Sequence, residues 1–195
     1  MILPLDFYCR DTLTVARELL GCTLVSRAGG EETRGVILET EAYRGALDPA
    51  AHSYKGRTQR VRALYEGKGL AYIYLIYGMY WCLNLSCGPA DSPDCVLIRA
   101  LEPVEGIHIM SRRRGTGGLT SLCSGPGKLT MAMGITREEY GARLYEPDSP
   151  LTVLEGRRDL DVAVSPRIGI DYAGDAKNWL WRFTVSGNKY VSGRP

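Results

Sequence analysis

The chain has 195 residues, with 24 lysines and arginines against 22 aspartates and glutamates and a formal net charge of +2. That length supports one full core in a single domain over 1–195 and excludes a second large one. The near-neutral total means that any nucleic-acid surface must come from local clustering. Six cysteines with no Cys-x-x-Cys, and only two histidines, speak against a zinc site, so no metal and no cofactor is expected. No run approaches the roughly 20 apolar residues that span a bilayer. With no signal peptide legible at Met1–Asp6, the reading is a soluble cytoplasmic protein with reduced thiols.

Asp11–Gly21 predicts a helix. Asp11 can accept the first free amide hydrogens, Leu13, Ala16, Leu19 and Leu20 share a face, and Gly21 can close the end. Cys22–Ser26 predicts a short strand and Ala28–Glu32 a turn. Arg34–Tyr43 reads as a buried strand whose apolar Val36–Leu38 gives way to Glu39, Thr40 and Glu41. The glutamates are two apart and share a face, with Thr40 opposite. Glu39 reads as a solvated strand-end charge; for Glu41 that reading stays open.

Arg44–Lys68 has little periodicity. Its Lys55, Arg57, Arg60 and Arg62 form either a phosphate-contacting patch or a solvated face. His52 taken alone reads as structural. Ala71–Leu85 carries no charge and alternates with the period of a strand on both sides of Tyr77-Gly-Met79. It predicts a β-hairpin with one aliphatic face and one face of tyrosines ending in Asn84. Tyr77 at its tip is either a core ring or a wedge between stacked bases.

Gly88–Asp94 predicts a loop and Asp94–Pro103 a buried strand closed by Pro103. Arg99 within that strand needs a partner, because an unpaired buried charge costs several kcal/mol; a carboxylate such as Glu41 would serve. Glu105–Arg114 predicts a helix ending in a basic cluster. Leu122–Gly134 sets a Gly/Pro turn before a helix whose free amides, with Lys128 beside them, could hold a phosphate. A further strand begins within Pro147–Leu154, Arg158–Ser165 is a connector, Pro166–Ile170 a short extended piece, and Trp179–Val185 the last strand. The predicted class is α+β: one domain, a curved and largely antiparallel sheet with flanking helices and a protruding hairpin.

Several stretches in order resemble the alkyladenine DNA glycosylase family, the 3-methyladenine glycosylases of the mammalian and Bacillus type. They are Glu39-Thr-Glu-Ala-Tyr43, Ala51-His-Ser53, Tyr72-Ile-Tyr-Leu-Ile-Tyr-Gly-Met-Tyr-Trp-Cys-Leu-Asn84, Leu97-Ile-Arg-Ala-Leu-Glu-Pro103, Ser124-Gly-Pro-Gly-Lys-Leu129, Pro166-Arg-Ile-Gly-Ile170 and Trp181-Arg-Phe183. The chain departs from the family's Arg-Thr-Pro-Arg-Asn at Arg57-Thr-Gln-Arg-Val61, and Tyr80 stands where many bacterial members have histidine.

The resemblance implies an enzyme that flips alkylated or deaminated purines out of double-stranded DNA and hydrolyses the N-glycosidic bond. It implies Glu41 as general base for a water attacking C1′, with Arg99 and the Ile168 carbonyl also holding that water, and inversion at C1′ with an intact abasic site as product. It places Tyr43, His52 and Tyr74 around the flipped base, Tyr72 in support, and Asn84 against the 2-amino group of guanine. Tyr77 fills the vacated stack, and Met79, Tyr80, Arg57, Arg60 and Lys128 contact DNA. A monomer is the natural form for an enzyme that scans DNA. Three rivals remain: a non-catalytic nucleic-acid-binding module using the same hairpin, a zinc deaminase whose signature is absent, and a nucleoside hydrolase, which would have no use for a wedge.

Overall fold

Alternating apolar residues along the sequence dictate strands that bury one face, and the computed structural model, which describes residues 1–193, contains eight of them among those residues. They are β1 (Thr23–Ser26), β2 (Thr33–Tyr43), β3 (Ala71–Ile76), β4 (Tyr80–Cys87), β5 (Asp94–Glu105), β6 (Leu151–Leu154), β7 (Val162–Ser165) and β8 (Arg182–Val185). Five short α-helices accompany them: α1 (Leu5–Tyr8), α2 (Thr12–Glu18), α3 (Ala63–Glu66), α4 (Ile107–Arg114) and α5 (Pro126–Met133). The strands form one curled, antiparallel sheet in the order β3-β4-β5-β2-β1-β6, with β8 on β2 and β7 on β8. The α+β class and the single domain are as expected.

The long central strand β2 pairs with β5 along one edge. On its other edge it pairs first with β1, at Thr33–Val36, and then with β8, at Glu39–Glu41. Register shifts between Ile37 and Glu39 and between Glu39 and Thr40 mark β-bulges, which bend a strand and re-aim its side chains.

The main core lies between the sheet and helices α2, α4 and α5. Val15 and Ala16 of α2, Met110 of α4, and Leu129 and Met133 of α5 meet Ile37, Ile73, Leu83, Leu85, Ile98 and Leu101 from the strands. Burying each such aliphatic side chain is worth roughly 1.5–3 kcal/mol. The hairpin splits as its alternation predicts: Ile73, Leu83 and Leu85 enter this core, while Tyr72 belongs to a smaller cluster with Val61, Leu64 and Leu70. Its turn is tight, with Met79 N–H donating to Ile76 C=O at 3.2 Å. Both central residues have positive φ, 53° at Tyr77 and 69° at Gly78, as a type I′ hairpin turn requires.

Several boundaries differ from the sequence reading. Asp11 caps α2 by accepting from Thr14 N–H at 3.1 Å, but the helix ends at Glu18. Pro103 does not close β5; the strand continues to Glu105, and a register shift beside the Gly35–Pro103 pair absorbs the missing N–H. Arg158–Ser165 is not only a connector, because Val162–Ser165 pairs with β8. The last strand begins at Arg182 rather than Trp179, since Asp171–Asn178 ahead of it forms 3-10 turns that carry the chain to Trp179. The Arg44–Lys68 segment contains a 3-10 turn at Gly45–Leu47 as well as α3. Among the described residues, no helix is long and apolar enough to cross a membrane.

Candidate active site

A cavity of about 480 Å³ opens beneath the hairpin, a size typical of small-molecule pockets. Strand alternation turns Tyr72, Tyr74 and Ile76 of β3 and Tyr80, Cys82 and Asn84 of β4 toward it. Tyr43 at the end of β2, Arg99 of β5, His52 and Arg60 from the long segment after β2, and the Ile168–Ile170 bend also line it.

Glu41 is fully buried and lies just behind this wall, held by three residues that form it. The Ile168 amide donates to its Oε1 at 2.8 Å. The Tyr43 hydroxyl donates to Oε2 at 2.8 Å, and Arg99 Nη1 donates to the same oxygen at 3.4 Å. The contact made by Ile168 here is through its N–H; the sequence reading named only its carbonyl. Burial works against the Arg99 charge, but Glu41 and Glu39 outweigh it and its pKa is raised.

Glu39 corrects the sequence reading. It is not a solvated strand-end charge: it has no exposed surface, and Arg99 Nε donates to its Oε1 at 2.9 Å and Arg182 Nε at 2.7 Å. The reason is topological. β2 does not end at Glu39 but runs on between β5 and β8, so a residue placed at a strand end by its polarity is central in the sheet.

The cavity's aromatic lining is tied together. The Tyr72 hydroxyl and His52 Nδ1 are 2.8 Å apart, and the His52 ring meets Tyr74 edge-on with centroids 4.5 Å apart. His52 is open to the cavity yet enclosed by protein around it. That burial, with Arg60 nearby, pushes its pKa down to about 4, so the ring is neutral near pH 7. Burial likewise pushes the Tyr43, Tyr72 and Tyr74 hydroxyls up, and Glu41 adds to the effect at Tyr43; all three remain protonated. Burial raises the Cys82 thiol to about 11. Asn84 is buried, and its side-chain amide donates to the Tyr72 carbonyl at 3.2 Å.

At the rim of the cavity, where Tyr77 and Tyr80 line it, the hairpin tip is bare. Tyr77 is 84% exposed, Met79 65% and Tyr80 38%. Lys128 is exposed in the first turn of α5. The basic run is divided: Arg57 and Arg62 approach Glu66 at 3.8 and 3.9 Å, whereas Arg60 sits over the Tyr74 ring, 5.0 Å from its centroid, at the cavity.

Two features escaped the sequence reading. Arg167 and Asp48 form an ion pair with neither side chain exposed, Nη2 to Oδ1 at 2.9 Å. Arg167 also donates to the carbonyls of Ala42 and Ala176, and lies 4.6 Å from the Tyr43 centroid and 5.0 Å from that of Trp181. It therefore braces both Tyr43 and the bend that carries Ile168. Its signal was present: an arginine between Pro166 and Ile168 invites the same question as Arg99. Tyr172, in the 3-10 stretch, stands at the cavity mouth with its hydroxyl donating to the Ala50 carbonyl at 3.2 Å, and no sequence pattern marks it. Among the described residues, no group of three or more His, Cys, Asp or Glu side chains is placed to hold a metal.

An aromatic cavity with an arginine-paired carboxylate behind its wall can hold a flat ring beside a water polarised by that acid, the equipment of a hydrolase. The family model described as methylpurine-DNA glycosylase (MPG) matches residues 6–189. A protein of Methanoculleus marisnigri is 47% identical over 202 residues, covering all of both chains. One of Bacillus licheniformis is 45% identical over 191 residues, covering 97% of this chain and 96% of its own, and one of Clostridium acetobutylicum is 46% identical over 197 residues, covering 96% and 95%. Each of the three bears the name "Putative 3-methyladenine DNA glycosylase". The chain belongs to the methylpurine-DNA glycosylase family. It is an enzyme of DNA repair, a hydrolase acting on N-glycosyl bonds.

Proposed function

We propose that this enzyme removes alkylated and deaminated purines, of the 3-methyladenine, hypoxanthine and ethenoadenine class, from double-stranded DNA by flipping the nucleotide and hydrolysing its glycosidic bond with a water activated by Glu41. The observation that carries the reading is the setting of Glu41. Its Oε2 takes two donors and its Oε1 one, which leaves an acceptor position on Oε1 for a water proton. Tyr43, Arg99 and Ile168, which fix it, form the cavity wall.

Attack by that water on C1′ breaks the C1′–N bond. The purine leaves with the bonding electron pair and the water proton passes to Glu41, through an oxocarbenium-like transition state as in glycoside hydrolysis. The product is an intact abasic site, inverted at C1′. Cationic 3-methyladenine leaves readily; neutral hypoxanthine depends more on the pocket.

Tyr43, His52 and Tyr74, supported by Tyr72, take the flipped base, and the neutral His52 ring suits a neutral or cationic purine equally. The Asn84 N–H not engaged by the Tyr72 carbonyl opposes the 2-amino group of guanine, donor against donor. Tyr77 occupies the vacated stack, as apolar wedges do in groove-binding proteins. Met79, Tyr80, Arg57, Arg60 and Lys128 contact the surrounding DNA, and the enzyme acts as a monomer.

The test is single-turnover base release from a duplex carrying one hypoxanthine, with 3-methyladenine as second substrate. Glu41→Gln should bind the duplex as wild type does and keep only a small residual release of either base. Full release by Glu41→Gln would refute the assignment.

A further inference from the structure

The family match ends at residue 189, yet Ser192 reaches the buried charges next to the site. Its amide donates to Glu39 Oε2 at 2.7 Å and its hydroxyl to Glu39 Oε1 at 2.9 Å. Its carbonyl accepts from Arg182 Nη2 at 3.1 Å, while Arg182 Nε donates to the same Glu39 Oε1. Glu39 is thus gripped from β5 by Arg99, from β8 by Arg182, and from the C-terminal segment by Ser192. No polar atom of these four side chains is both buried and unpaired.

The grip fixes Arg99. A guanidinium is a planar fork, so holding two of its nitrogens sets the third. Arg99 Nε is held by Glu39 at 2.9 Å, and Nη2 lies 3.5 Å from the Ser192 hydroxyl. What remains is Nη1, which faces Glu41 Oε2 at 3.4 Å. If Arg99 only needed a counter-charge, Glu41 would supply it. The second carboxylate and the serine instead define the plane in which Arg99 meets Glu41.

We propose that Glu39 is a positioning residue for the glycosylase reaction, that it acts by orienting Arg99 on Glu41, and that the C-terminal segment through Ser192 is a working part of the site. This rests on Glu41 being the water-activating base. Glu39 touches no substrate. A misplacement of about 1 Å in a reacting group can cost roughly 100-fold in rate, so a small rotation of Arg99 would be felt in the chemical step and not in binding.

The experiment is single-turnover base release at saturating enzyme, with duplex affinity and thermal midpoint measured on the same preparations. The substrate is a duplex carrying one hypoxanthine, or 3-methyladenine if wild type does not release hypoxanthine. Glu39→Gln should slow release by about 10- to 100-fold with duplex affinity within about twofold of wild type. Ser192→Ala should slow it by about 3- to 10-fold, and Ser192→Thr, which keeps both donors, should restore it. In a Glu41→Gln background Ser192→Ala should cause no further loss of residual release, because its route runs through Glu41.

Wild-type rates in folded Glu39→Gln and Ser192→Ala would overturn the proposal. So would an equal loss from Ser192→Ala with and without Glu41, which is the mark of a purely structural role. If Glu39→Gln does not fold, the serine variants decide alone. Full activity in Glu41→Gln would overturn this proposal together with the reading it rests on. An inactive Glu41→Gln beside fully active Ser192 and Glu39 variants would overturn this one only.

Discussion

Asp48→Asn gives the sharpest test of how the site is braced. The substitution keeps the shape and one carbonyl acceptor, so the Ala50 amide that donates to Asp48 Oδ1 at 3.0 Å can retain its bond. What is lost is the charge opposite Arg167, whose side chain has no exposed surface. Breaking a buried pair from one side costs about 3–5 kcal/mol, because the remaining ion is neither hydrated nor compensated. The carbonyls of Ala42 and Ala176 and the faces of Tyr43 and Trp181 still solvate the guanidinium in part, which favours the lower end of that range. For a chain of this size about 1 kcal/mol moves the thermal midpoint by about 2–4 °C, so a fall of roughly 6–20 °C is expected. Circular dichroism melts of both proteins in one buffer measure it. Base release assayed well below both midpoints should also slow, since Arg167 backs Tyr43 and adjoins the Ile168 amide on Glu41. A midpoint within about 2 °C of wild type would refute the claim that this pair is dry and mutually dependent.

Tyr77→Gly separates strain from function. A non-glycine residue in the left-handed region costs about 1–2 kcal/mol, and glycine returns about 0.5–1 kcal/mol of that as chain entropy. With the ring 84% exposed, no packing is lost. The variant should be as stable as wild type or about 1 kcal/mol more so, yet release hypoxanthine from a matched duplex more slowly; unchanged release would remove Tyr77 from the mechanism. His52 should show its imidazole resonances titrating with a midpoint near 4 in an NMR series. Since its folded pKa lies below the ordinary 6.5, the unfolded chain takes up the proton first. Its contribution therefore favours the fold above about pH 6.5 and is lost as pH falls from there through about 4; a midpoint at 6.5 would refute the enclosed setting. Gly127→Ala sets helix propensity against space. Gly127 lies in the first turn of α5, so alanine gains at most about 1 kcal/mol there, but its Cβ would stand 2.9 Å from Tyr80 Cβ and 3.0 Å from Cγ, atoms near the backbone that cannot swing away. Overpacking of about 1–3 kcal/mol should win, and urea unfolding should show a net loss; a stabilised variant would mean the hairpin shifts freely over α5.

The elements with a local signature were legible in the sequence. The hairpin's alternation, its glycine turn, and the cap at Asp11 are decided by residues close in sequence, and each lies where its pattern put it. The acids behind the cavity were half legible. Arg99 called for a carboxylate, but nothing local distinguished Glu39 from a solvated glutamate, because its burial comes from β8 and Ser192, more than 140 residues away. Asp48 and Arg167, 119 residues apart, were invisible as a pair for the same reason. Pro103 misled because proline usually ends a ladder; here a register shift lets the strand pass it. The Arg57–Arg62 run could be read only as a patch, since which of its members turns inward depends on Tyr74, fourteen residues beyond Arg60.

The position of β2 has a mechanical consequence. It is laced along both edges, by β5 throughout and by β1 and then β8 on the other side, whereas β3 stands at the margin of the sheet and ends in a bare turn. Opening costs of a native chain follow such differences in tethering. Force applied to Tyr77 by a resisting helix of DNA would be absorbed first by the hairpin, as the displacement of a cantilever is greatest at its free end. The acid on β2 would stay within its hydrogen-bonded frame. With the roles proposed above for Tyr77 and Glu41, the probe would yield while the chemistry stayed in register.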